Sequence, residues 1–134
     1  RGVDCSGQAR ILELDEWLRF RHHPRIVKER EIQHFVKSLT NAFAPERVVL
    51  FGSYAHGRPT VDSDADLLVI MRHDKHPAEQ ALDIRRRIDC PFPLDLIVKT
   101  PQETRRRLSQ KDMFLRSILD HGKVLYERRR SRMG

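Results

Sequence analysis

Three carboxylates stand where chemistry would need them. Asp64 and Asp66 flank Ala65 at the head of an apolar run reaching Met71, and Asp95 interrupts another, Leu94-Asp95-Leu96-Ile97-Val98. Successive strand side chains point to opposite faces, so Asp64 and Asp66 can share one face while Ala65 and Leu67 enter the core. Two carboxylates on one face repel, an arrangement that is costly unless a cation lies between them, and hard oxygen ligands suit Mg²⁺. Asp95 raises the same question. A buried ionised carboxylate without a partner is expensive, so Asp95 meets a cation or emerges into a cleft, unless its strand is an edge. If the strands that carry them are neighbours, the three acids converge. A two-metal site meets that need, one ion lowering the pKa of an attacking hydroxyl and the other neutralising charge on a transferring phosphate.

The phosphate cradle opposite those acids would be Gly52-Ser53, which follows the apolar stretch Arg47 to Phe51. Glycine permits close backbone approach, and turn N–H groups with the Ser hydroxyl can hold terminal phosphates. Alone, each piece is common. A strand, Gly-Ser, a spacer of ten residues, Asp-x-Asp in a second strand and an Asp in a third form a much more specific combination.

The elements that must position these residues follow from periodicity. An amphipathic helix is expected from Arg25 to Phe43, with Ile32, Phe35, Val36, Leu39 and Phe43 on one face, closed by Pro45. Strand one, Arg47 to Phe51, reads as buried on both faces. Tyr54 to His56 resemble the start of a short helix, and Gly57 to Ser63 a turn-rich loop. Strand two spans Ala65 to Met71. Pro77 suits the first turn of a helix from Ala78 to Asp89 that buries Ala81, Ile84 and Ile88. Strand three is Leu94 to Val98. Thr100, Pro101 and Glu103 then cap a last helical region. It is expected to bend near Ser109-Gln110, to place Phe114, Leu115, Ile118 and Leu119 in the core, and to stop at Gly122. Lys123 to Tyr126 is a short final strand. Upstream, residues 11 to 20 show a short helical pattern ended by His22-His23-Pro24; adjacent histidines on extended chain point apart, which argues against a metal pair. The fold class is therefore α/β (α+β), a small mixed sheet with helices packed on it.

At 134 residues the chain is one domain. It divides into an N-terminal segment 1–24, whose first residues read as a processing or expression remnant, a domain 25–127 and a basic tail 128–134 expected to be disordered. No run approaches the roughly 18 apolar residues of a membrane span, and no signal-peptide core follows the N-terminus, so a cytoplasmic location is expected. Cys5 and Cys90 match no metal-ligand spacing and are expected as thiols. The net charge of +7 is uneven, concentrated in Arg85 to Arg87, Arg105 to Arg107 and Arg128 to Arg132. These clusters read as solvated helix faces before they read as a polynucleotide groove, because no aromatic residues are interleaved for stacking.

At its Gly-Ser and Ser-Asp-x-Asp-Leu residues the chain resembles the nucleotidyltransferase domain of the DNA polymerase β superfamily, in its small minimal nucleotidyltransferase branch. The motif stands here as Gly52-Ser53-Tyr54-Ala55-His56-Gly57 and Ser63-Asp64-Ala65-Asp66-Leu67, and the closing segment Phe114 to Tyr126 also looks like the end of such domains. The resemblance covers roughly Ile26 to Glu127. It implies a polymerase β-like fold and transfer of AMP from ATP to an acceptor hydroxyl with release of pyrophosphate. It implies that Asp64 and Asp66 bind two Mg²⁺ ions, that Asp95 completes the acceptor-side metal, and that Gly52 and Ser53, with Ser63, hold the triphosphate. His56 stands where many members carry Arg, giving up a permanent charge that Arg58 would have to supply.

The resemblance also implies a partner. Small members commonly pair with an all-helical HEPN protein and act as the antitoxin, adenylylating a tyrosine of the toxin. A chain ending at residue 134 leaves no room for a helical acceptor domain, which points to another polypeptide as acceptor. Two alternatives stay open: a non-catalytic module that neutralises a partner by covering it, and a nucleotidyltransferase acting on RNA ends or a small alcohol. Homo-oligomerisation is compatible with all three.

Overall fold

The computed structural model describes residues 26–128. The helical pattern at 11 to 20, His22-His23, Cys5 and the tail beyond Arg128 lie outside the described residues. The elements run α1 (Glu29–Phe43), β1 (Arg47–Phe51), a 3-10 turn (Gly52–Tyr54), β2 (Ala65–Ile70), α2 (Pro77–Arg87), β3 (Leu94–Lys99), α3 (Pro101–Ser109), α4 (Met113–His121) and β4 (Lys123–Glu127). The strands form one sheet in the order β3-β2-β1-β4. β1 is antiparallel to both β2 and β4, while β2 and β3 are parallel and joined through α2. A parallel pair needs such a crossover, and the helical run between strands two and three supplies it.

The two sheet faces are covered separately. α1 buries Ile32, Phe35, Val36 and Leu39 against Val48, Leu50, Leu67, Val69 and Leu96, with Ile84 and Ile88 from the α2 region on the same side. On the opposite face Leu115 and Ile118 of α4 pack against Val49, Leu68 and Ile70. The alternation along β2 explains both layers: Ala65, Leu67 and Val69 face one way, Asp66, Leu68 and Ile70 the other. Asp66 therefore shares the α4 face, at the end that α4 does not reach with a buried side chain.

α1 begins where Glu31 accepts from the Lys28 amide at 2.9 Å, and ends on Ala44 in a left-handed conformation (φ 49°) followed by buried Pro45. The chain before α1 is tied to the site region by the Tyr54 hydroxyl, which accepts from the Val27 amide at 2.9 Å.

Several sequence expectations shift. The last helical region is two helices rather than one bent helix, because Lys111 turns left-handed (φ 63°) and the Asp112 carboxylate caps α4 by accepting from the Leu115 amide at 3.0 Å. That restart leaves Phe114 61% exposed instead of in the core, meeting Phe51 edge-on with ring centroids 6.0 Å apart. The short helical turn begins at Gly52, not at Tyr54. The arginines of α2 are not merely solvated: Arg87 lies 4.5 Å over the Phe43 ring, and Arg85 donates to the Leu94 carbonyl at 2.6 Å. The Cys90 thiol donates to the Phe92 carbonyl at 3.3 Å. Among the described residues no helix is long and apolar enough to cross a membrane.

Candidate active site

Asp66, Asp95 and the Gly52 turn come together at one end of the sheet. β1 delivers Phe51 opposite Asp66, and the parallel β2–β3 register sets Asp66 directly beside Asp95. Neighbouring strands lie about 4.8 Å apart, so the two carboxylates emerge side by side from one face. Asp95 is not in mid-strand as its sequence context suggested. It is the second residue of β3, on the sheet's outer strand, and exposed. Both readings left open for it therefore meet: an edge strand, and emergence into the open. Asp64, also exposed, precedes β2 on the loop side.

Gly52 closes the site from the other direction. Its φ of +76° belongs to the left-handed region that favours glycine. A Cβ built there would overlap Asp66 Oδ2 and come within 3.3 Å of its Cγ, so the turn's backbone lies directly against the carboxylate. The turn then winds tightly. The amides of Ala55 and His56 donate to the Gly52 carbonyl at 3.1 and 3.2 Å, and the Arg58 amide donates to the Ser53 carbonyl at 3.0 Å. Ser53 is half-buried, and its hydroxyl has no hydrogen bond among the described residues; His56 and Arg58 are exposed. The Ser63 hydroxyl accepts from the Thr60 amide at 2.9 Å and so braces the loop that enters Asp64.

The electrostatics follow from this crowding. Partial burial first, then the charges of Asp95 and Asp64, push the Asp66 carboxyl above its ordinary value. Asp66 thus feels both of the other acids, and a cation at this edge would relieve that repulsion. The donors fit a hard divalent ion such as Mg²⁺ in kind and charge, and Asp66 with Asp95 fit in position. The full set is not drawn into a closed cage: among the described residues no group of three or more His, Cys, Asp or Glu side chains is arranged to hold a metal ion. Acids placed beside a glycine turn are compatible with nucleotide transfer, because that chemistry is largely positioning and charge neutralisation.

A family model described as "Polymerase beta, Nucleotidyltransferase" matches residues 31–131. The chain belongs to this nucleotidyltransferase family. A Methanocaldococcus jannaschii protein named "Putative protein adenylyltransferase" is 27% identical over 103 residues, 74% of this chain and 98% of that protein. A Sulfolobus solfataricus crystal structure described as "a putative nucleotidyltransferase" superposes with a TM-score of 0.52 at 20% identity, over 74% of this chain and 79% of that one, which supports the fold. The mixed four-stranded sheet with four helices is thus the polymerase β-like nucleotidyltransferase fold.

One contributor to this nucleotidyltransferase's site escaped the sequence. Arg85 reaches from α2 to the Leu94 carbonyl, one residue before Asp95, and so fixes the entry of β3. No local pattern announces that contact, since it depends on how the α2 crossover returns to the sheet.

Proposed function

We propose that this nucleotidyltransferase moves AMP from ATP onto a hydroxyl of a partner protein, with Mg²⁺ as its cofactor. The observation that carries the reading is Asp66, in register beside Asp95 and with its carboxylate against the Gly52 backbone. Asp64, Asp66 and Asp95 would hold the ions, which when bound supply neutralisation of phosphate charge and a lowered pKa for the acceptor hydroxyl.

The chain's own residues do the rest. Backbone N–H groups of the Gly52 turn and the Ser53 hydroxyl hold the triphosphate, Ser63 keeps the loop that presents Asp64, and Arg58 lends positive charge from the exposed side. The acceptor oxygen forms a bond to the α-phosphorus as the bond to the bridging oxygen of the β-phosphate breaks. Pyrophosphate leaves with that electron pair, and the hydroxyl proton passes to the exposed Asp95 carboxylate.

The acceptor is a polypeptide in this reading. The described residues form one sheet domain around an exposed edge, and the M. jannaschii relative carries the name of a protein adenylyltransferase. The resemblance to minimal nucleotidyltransferases makes that polypeptide a HEPN-type helical protein, with this chain as its antitoxin. Incubation with α-labelled ATP, Mg²⁺ and a HEPN-type helical protein tests the proposal. Label is expected on the partner and absent with Asp66→Asn; no label, or equal label with that variant, rejects it.

A further inference from the structure

A second concavity lies on the same sheet face as the carboxylates but at its opposite end. The β1–β2 register runs from Phe51 beside Asp66 to Arg47 beside Ile70, four residues of strand, or about 14 Å at the ordinary rise. There a cleft of about 1090 Å³ opens between α3, α4 and the sheet. Its floor is apolar, made by Ile70, Leu108 and Leu119, and its walls carry four arginines, Arg47, Arg72, Arg105 and Arg128, against two glutamates, Glu46 and Glu127.

The basic groups differ in how far they are committed. Arg47 is paired with Glu127 at 2.7 Å, and the Arg128 guanidinium donates to the Ala44 carbonyl. Arg72 is held only loosely: its side chain is 87% exposed and its ion pair with Glu46 is long, at 3.7 Å. Arg105 is exposed and makes no ion pair among the described residues. His73 also lines the cleft, and both its ring nitrogens are buried without a hydrogen-bond partner among those residues. A neutral imidazole carries one donor and one acceptor nitrogen, and a buried polar atom left unpaired is costly. Arg105 without an ion pair and Arg72 with only a long one stand over an apolar floor and can take an anion.

We propose that this cleft is a second ligand site, separate from the carboxylate edge, which takes a small phosphorylated molecule. The phosphate lies on Arg105 and on Arg72, displacing Glu46, and the organic part covers Ile70, Leu108 and Leu119. The volume, just above the span of about 300–1,000 Å³ usual for small-molecule sites, leaves room for such a ligand. A polynucleotide is disfavoured because no Phe, Tyr or Trp lines the cleft to stack a run of bases.

The test is calorimetric titration of the full chain with AMP and with pyrophosphate, in EDTA so that metal-dependent binding at the carboxylate edge is silent. Binding of one molecule per chain is expected. Arg105→Glu, a change at an exposed position, is expected to weaken it about 10- to 100-fold, the range for loss of a charge-assisted hydrogen bond. Asp66→Asn leaves it unchanged. Circular dichroism of each variant shows whether the fold persists. Failure of both ligands to bind overturns the proposal, as does native affinity in folded Arg105→Glu or loss of binding in Asp66→Asn. Displacement of AMP by a 20-mer RNA whose own affinity falls steeply with salt would assign the cleft to a polynucleotide instead.

Discussion

Replacing Gly52 with Ala tests the contact on which the site depends, and Gly57 provides its internal control. Both glycines have positive φ, +76° and +70°, but only at residue 52 does a new Cβ meet anything: the Asp66 carboxylate, against open space at 57. Left-handed backbone costs a non-glycine residue about 1–2 kcal/mol, so Gly57→Ala loses that much stability. With roughly 4 °C per kcal/mol for a domain near 100 residues, its Tm falls by about 4–8 °C. Gly52→Ala adds the displacement of Asp66 from its rotamer, about 0.5–1.5 kcal/mol more, or roughly another 2–6 °C. The functional contrast is larger. Moving the Asp66 oxygens away from the turn separates the phosphate cradle from the carboxylate, and misplacement of about 1 Å can cost on the order of a hundredfold in rate. Thermal unfolding by circular dichroism and transfer of label from ATP measure the two effects. If both variants lose the same stability and the same activity, the close approach of turn and carboxylate has no consequence, and the reasoning fails.

Two further outcomes follow from particular side chains. The Asp66 pKa is raised in the folded protein above its ordinary value of 3.8, so its ionisation opposes folding: stability is highest below the unfolded pKa and falls as pH rises through the folded one. Asp66→Asn is therefore expected to raise Tm at neutral pH in the absence of divalent cations. The gain should vanish as pH drops below 3.8, and a constant gain at all pH values would refute this electrostatic origin. Asp112→Ala removes the cap on α4 and is expected to cost about 1 kcal/mol, a loss of roughly 4 °C in Tm, with label transfer retained. No change in unfolding would mean that the two helices do not need that cap.

The strands were legible because their signal is local. Val48-Val49-Leu50 and Leu67-Leu68-Val69 are continuous apolar runs, and both are fully buried at the centre of the sheet. The face shared by Asp66 and Asp95 was readable only on the condition that their strands pair; side-chain alternation sets a face, but strand order is a long-range property. The break between α3 and α4 was misread as a bend. Lys111 adopts a left-handed conformation that its residue type does not advertise, and Asp112 acts as a cap where it could equally have been a solvated helix residue. Phe114 was placed in the core for the same reason, since helical spacing continues across a break that resets which face is inward. The anionic character of the site came from residue types, while the tightness of Gly52 against Asp66 came only from coordinates. The basic cleft at the other end was invisible, because Arg72 and His73 lie in one segment and Arg105 in another, and they meet only through the fold.

The claim that Asp64, Asp66 and Asp95 together hold divalent cations is tested most directly by counting them. Mn²⁺ titration monitored by electron paramagnetic resonance, with a non-hydrolysable ATP analogue present, is expected to give two ions per native chain. Asp95→Asn should lose the acceptor-side ion and Asp66→Asn both. An unchanged count in these variants, or no Mn²⁺ bound by the native chain, would contradict the account.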